Sequence, residues 1–172
     1  APLLAGSEGT LAIIRRACVR LVPKPKHTLL VVLPFRSIGE ACDDAPHVLD
    51  TRPSAVELVP RRLIDLARGI PGYARRLGFV EGSPQALLVV EYSGASPAEV
   101  RSVASRVARK GTLVETVAAQ QDVWAVRKAG LGLLMSVSGD TKPIEFIEDV
   151  AVPVERLGEY VRHVDDILAQ HG

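Results

Sequence analysis

The run His27 to Phe35, HTLLVVLPF, is apolar almost without interruption. A strand that does not alternate polar with apolar residues needs cover on both faces, or a central place in its sheet. Pro23-Lys24-Pro25-Lys26 sits immediately before it and marks a boundary, since such a stretch cannot continue a ladder and has a stiff, solvated backbone. The rest of the chain must therefore supply further strands and enough amphipathic helix to cover them. With 172 residues the chain fits one domain, and a second only as a remnant. The hydrophobic fraction is 47% but the aromatic fraction only 4%, so aliphatic side chains must do most of the packing.

Periodicity predicts those elements in turn. Residues 6 to 22 begin with a glycine turn, Gly6-Ser7-Glu8-Gly9-Thr10, and continue as LAIIRRACVRLV, whose β-branched, partly alternating pattern predicts a strand or strand pair. Ser37 caps a helix reaching about His47, with Ile38, Ala41 and Cys42 inward. Ala55 to Val59 is a short strand. Pro60 then opens a helix carrying Leu63, Ile64 and Ala67, which Gly69 ends. Residues 69 to 84 form a loop with room for one helical turn, and Gln85 to Tyr92 is the next strand. Ser96-Pro97-Ala98-Glu99 has the form of a capping box with proline at the first helical position, and Val100, Val103 and Val107 follow on one face. After Gly111, Thr112 to Ala118 reads as a strand, and a helix then carries Trp124. A polar loop spans Ser136 to Pro143, and a strand spans Ile144 to Val152. The final helix, Val154 to Ala169, has the stripe Val154, Leu157, Val161, Val164 and Leu168, and Gly158 weakens it by about 1 kcal/mol relative to alanine. Strands alternating with one-faced helices predict an α+β domain: a ferredoxin-like, mainly antiparallel sheet with helices packed on one face.

Several function classes find no support in the chain. A formal net charge of +1, with basic and acidic residues interspersed, gives no reason to expect nucleic-acid binding. No apolar run approaches the roughly 20 residues of a membrane span, and the N-terminus lacks the pattern of a secretory signal. Cys18 and Cys42 have no metal-type spacing and are expected as reduced, buried thiols in a cytoplasmic protein. His27, His47, His163 and His171 likewise show no metal spacing, so no metal site is expected. There is no GxSxG, no P-loop and no GxGxxG following a strand. Glu148 and Asp149 are adjacent on a predicted strand, hence on opposite faces, and cannot form a carboxylate dyad.

The stretch Asp122 to Val152, DVWAVRKAGLGLLMSVSGDTKPIEFIEDVAV, carries the chemistry. Trp124 and Arg127 lie three apart and share a helical face. Arg127 then stands near the loop bearing Asp140, Thr141 and Lys142. The residues alone leave two readings open. One is a surface arginine stacked on a tryptophan with the lysine in a solvated turn; the other is two cations converging on an anion, for which the planar guanidinium fork suits a carboxylate. Asp140 and Thr141 could hydrogen-bond a hydroxyl, although any turn favours such residues, and Trp124 is expected in the core.

WAVRKAG, followed by GDTKPIEFIEDVAVP, resembles the substrate-domain signature of the FAD-linked 2-hydroxyacid dehydrogenases and oxidases, a family that includes glycolate oxidase, D-lactate dehydrogenase and D-2-hydroxyglutarate dehydrogenase. GSEGTLAIIRRACVRLVPKP resembles the segment in which those proteins leave their FAD-binding domain. The resemblance implies that residues 1–25 are the C-terminal remnant of that domain and its linker. Residues 26–172 are then the substrate, or cap, domain, ending before a glycine–histidine metal motif. It implies that Arg127 grips a substrate carboxylate with Lys142 and Thr141 beside it, and that Gly6, Ser7, Gly9 and Thr10 touch the flavin. The implied function is oxidation of a lactate- or glycolate-like 2-hydroxy acid to a 2-oxo acid, with FAD supplied by the N-terminal domain of the same protein and not retained by these residues alone. GDTKPIEFIEDVAVP is most similar to members with an additional iron–sulfur domain, a further implied partner. The reading from another class is a non-catalytic ferredoxin-like module that binds a small molecule or assembles with a second copy.

Overall fold

The computed structural model describes residues 3–4, 6–140 and 150–171. The apolar run forms β1 (His27–Phe35), followed by α1 (Ile38–Leu49) and β2 (Ala55–Pro60). Next come α2 (Arg61–Arg68), the single turn α3 (Pro71–Ala74) and a 3₁₀ turn at Leu77–Phe79. The second half holds β3 (Ala86–Gly94), α4 (Pro97–Val107), β4 (Thr112–Val114), α5 (Val117–Lys128), α6 (Gly130–Met135) and α7 (Leu157–His171). The strands form one antiparallel sheet in the order β2-β3-β1-β4. With α1 joining β1 to β2 and α4 joining β3 to β4, this is the split βαβ arrangement of a ferredoxin-like fold. The fold class is α+β, as the sequence predicts.

Both faces of the sheet are covered, whereas the sequence predicts helices on one. Leu29, Val31 and Leu33 pack with Ala41 and Val48 of α1 and Val100 and Ala104 of α4. Leu30 and Val32 pack with Leu63 and Ile64 of α2, Leu77, Phe79, and Val123 and Val126 of α5. Successive strand residues face opposite sides, so an unbroken apolar strand builds two cores at once. The crossover helices fill one side, and the segment between β2 and β3 fills the other together with α5 and α6. The expected loop at residues 69 to 84 is thus a core-forming element, with Leu77 and Phe79 buried.

Local signals place most helix starts. Ser37 Oγ accepts from the Glu40 backbone N–H at 3.0 Å, and the Glu40 carboxylate accepts from the Arg36 N–H at 2.8 Å. These two bonds satisfy donors that a helix start leaves open. That backbone hydrogen bond is the largest cause holding the Glu40 carboxyl below its ordinary range. Pro97 begins α4 as expected, but the Ser96 hydroxyl makes no cap hydrogen bond. Pro60 is the last residue of β2 and the N-cap of α2, one position earlier than predicted. β4 ends at Val114 and not at Ala118, because Thr116 turns outward as the cap of α5 and accepts from the Ala119 N–H at 3.2 Å.

Three further expectations are corrected. Residues 12 to 25 form no strand: among the described residues nothing pairs with them, and Ile13, Val19, Leu21 and Val22 are exposed. Cys18 lies in that segment and is exposed, so only Cys42 is a buried thiol, with its pKa pushed up mainly by burial. The stripe of the last helix is half-buried at Leu157, Val161 and Val164, but Leu168 is 61% exposed. Arg162 already lies against Gly39 in the first turn of α1, so the later turns of α7 run past the start of its neighbour. Of the predicted strand Ile144 to Val152, residues 144–149 lie outside the described residues, with Glu148 and Asp149 among them, and residues 150–152 are not in a strand.

Candidate functional site

The second core changes character along its length. Val59, Leu87 and Val89 are buried in it, so the period of two puts Glu57 and Glu91 on the same face. In the register of β2 and β3, Glu57 opposes Val89 and Glu91 opposes Ala55, which makes the two acids diagonal neighbours. Thr28, two residues before Leu30, joins this polar end from β1. The Glu91 carboxylate makes no hydrogen bond or ion pair among the described residues, and desolvation pushes its pKa up.

Across this end lies α5, pinned at two points. Gln120 is 6% exposed, the one buried polar side chain among the described residues. Its amide donates to the carbonyls of Thr28 at 2.9 Å and Glu115 at 3.1 Å, and its carbonyl accepts from the Thr28 hydroxyl at 2.8 Å. Seven residues later, Arg127 Nε donates to Glu57 Oε2 at 2.8 Å. Seven residues of helix rise about 10 Å. β1 and β2 are two strand spacings apart in the sheet, again about 10 Å. The helix therefore crosses the strands, with Val123 and Val126 buried beneath it and Trp124 packed against the same core.

Arg127 thus stands at the outer margin of a hydrophobic layer, 43% exposed against 37% for Glu57. Only Nε donates: among the described residues Nη1 and Nη2 make no hydrogen bond. A guanidinium held at one nitrogen with its terminal pair free is equipped to receive a carboxylate in bidentate fashion. Beyond α5 the chain passes through α6, where Leu133 is buried, and Ser136 Oγ closes that helix on the Leu133 carbonyl at 2.8 Å. Gly139, with φ of +101°, and Asp140 then lead toward Thr141 and Lys142, both of which lie outside the described residues. Trp124 and Arg127 share a helix face as predicted, and Trp124 is half-buried against the core without being part of it. Glu57 is a residue that sequence reasoning passed over. Its signal was an acid two positions before Val59, in the core-facing phase of a short strand.

The N-terminal turn has the geometry its glycines suggest. Glu8 and Gly9 take positive φ, 45° and 79°, the pattern of a type I′ turn, and the Thr10 N–H donates to the Ser7 carbonyl at 2.8 Å. The Thr10 hydroxyl donates to the same carbonyl at 2.6 Å. A Cβ added at Gly6 or Gly9 would meet nothing within 4 Å, so backbone conformation calls for glycine here, and crowding does not. Elsewhere, no group of three or more His, Cys, Asp or Glu among the described residues could hold a metal ion, and no helix is long and apolar enough to cross a membrane.

The family model for FAD linked oxidases, C-terminal domain, matches residues 24–172. The chain is 30% identical over 185 residues to a D-2-hydroxyglutarate dehydrogenase of Pseudomonas putida, covering 99% of this chain and 18% of that protein. A D-2-hydroxyglutarate dehydrogenase of Escherichia coli is 30% identical over 188 residues, with the same two shares, 99% and 18%. A D-lactate dehydrogenase of Anaerostipes hadrus is 25% identical over 181 residues, covering 98% of this chain and 37% of that protein. The chain thus spans under two-fifths of the length of each of these relatives. With a matching family model over most of its residues, the chain belongs to the FAD linked oxidases, C-terminal domain, family.

Proposed function

We propose that this chain is the substrate-binding domain of a flavin-dependent enzyme that oxidises a 2-hydroxy acid to a 2-oxo acid. The observation that carries the reading is Arg127 at the edge of an apolar layer, with its Nε spent on Glu57 and no hydrogen bond to its terminal nitrogens among the described residues. Family membership supports it, as do relatives named for D-2-hydroxyglutarate and D-lactate. Arg127 takes the substrate carboxylate by two parallel N–H···O bonds, Lys142 adds a second positive charge, and Thr141 hydrogen-bonds the substrate from the same loop. The carboxylate is thereby held in one orientation, which fixes where the C2 hydrogen points and removes orientational freedom from the reaction.

In this reading residues 1–25 belong to the FAD-binding domain and its linker, and residues 26–172 to the substrate domain. Gly6, Ser7, Gly9 and Thr10 form an exposed turn with open space around it, which fits an edge contact through backbone groups and does not form a cradle for a pyrophosphate. FAD, when bound, supplies the two-electron acceptor that these residues lack. An iron–sulfur domain in the same polypeptide belongs to the same proposal. The test is made in the full flavoenzyme carrying this domain, assayed with D-2-hydroxyglutarate, D-lactate and glycolate. Arg127→Ala lowers kcat/KM for the substrate turned over by about 2–5 kcal/mol of transition-state stabilisation, and Arg127→Lys recovers little because the fork is lost. Unchanged kinetics in Arg127→Ala, or turnover of none of D-2-hydroxyglutarate, D-lactate and glycolate by the parent enzyme, would overturn the reading.

A further inference from the structure

We propose that Glu57 is the positioning residue for Arg127: by accepting from Nε it orients the guanidinium so that Nη1 and Nη2 face the ligand. The inference rests on the carboxylate-binding role given to Arg127 above. A guanidinium can receive a carboxylate end-on through its two terminal nitrogens or side-on through Nε and one of them. Glu57 Oε2 occupies Nε at 2.8 Å, which removes the side-on mode and leaves the end-on one. Glu57 is itself well held. Its backbone lies within β2, in register with Val89 of β3, and it is flanked by strand residues on either side. Arg127 is held from the other direction by the buried neighbours Val123 and Val126 and by the Gln120 clamp. The rigid planar fork converts one hydrogen bond into a fixed plane, which a lysine could not do. With the pair 43% and 37% exposed, the contact contributes little to stability as an ion pair, so its geometric consequence is the larger one.

The opposing possibility is that Glu57 merely competes for the arginine as a second anion. The two roles give opposite results with neutral side chains. A glutamine carbonyl still accepts from Nε, whereas alanine has no acceptor and aspartate is one methylene too short. If Glu57 positions Arg127, Glu57→Ala and Glu57→Asp raise KM for the 2-hydroxy acid about tenfold, which corresponds to about 1.4 kcal/mol, while Glu57→Gln stays within about twofold of the parent. If Glu57 competes, Glu57→Ala and Glu57→Gln both lower KM. The measurement is steady-state kinetics of the full flavoenzyme with D-2-hydroxyglutarate, D-lactate and glycolate, alongside the melting temperature of each variant. Should Glu57→Ala fail to fold, the contrast between Glu57→Asp and Glu57→Gln carries the same test. Loss of activity in Arg127→Ala with all Glu57 variants at parental or lower KM overturns the positioning role and leaves the arginine's role standing. Parental activity in Arg127→Ala overturns both.

Discussion

At Gly158 the local preference and the tertiary requirement have opposite signs. Alanine in place of glycine usually stabilises a helix by up to about 1 kcal/mol. Here a Cβ would fall on the Asp43 carboxylate, which is held by a bidentate pair with Arg162 at 2.8 and 3.2 Å. Gly158→Ala is therefore expected to destabilise the domain by about 1–2 kcal/mol in urea denaturation, and to become neutral or stabilising once Asp43→Ala has removed the obstacle. Glu91 supplies a pH-dependent counterpart. Burial raises its folded-state pKa, so its contribution to stability is fully present below the ordinary carboxylate value of about 4.3 and is lost as pH rises through the folded value. Glu91→Gln, which cannot ionise, should melt higher than the parent at neutral pH, and the difference should vanish as pH falls below the ordinary value. A gain that persists unchanged in acid would assign the effect to packing. None of this was legible in the sequence. The expectation for Gly158 came from its own helix, and Glu91 reads simply as a polar residue near the end of a strand.

At the scale of elements, period and punctuation located β1, β2, β3, α1, α2 and α4 with small errors at their ends. Two kinds of signal failed. The segment between β2 and β3 looks like a loop because its glycines and prolines interrupt any sustained period, yet a single turn and a 3₁₀ turn suffice to bury Leu77 and Phe79. The N-terminal segment failed in the other direction. β-branched alternation shows that a stretch is suited to pairing, but the N–H and C=O groups of the partner must come from elsewhere. Since residues 12 to 25 have no ladder partner among the described residues, Ile13→Pro should leave the melting temperature of the 172-residue chain unchanged. Val31→Pro, in a strand paired on both sides, should abolish folding. A large drop in melting temperature for Ile13→Pro would show that the segment is paired after all.

Among the described residues the molecule is a four-stranded sheet between two helical layers, and its candidate site lies where one layer runs out of apolar residues. Trp124 and Arg127 on one helical face, the glycine turn at the start and the family signature could all be read from the chain alone, because each depends on neighbours within a few positions. Local spacing also determined the α+β class and most of the strands and helices. Tertiary structure decided that both faces of the sheet are covered, that a side chain at Gly158 would meet the Asp43 carboxylate, and that Arg127 meets Glu57, seventy positions earlier in the chain. The physical reason is that periodicity is a property of consecutive residues. Which acid faces which base, and how closely two helices approach, is settled only when strands and helices distant in sequence are stacked against one another.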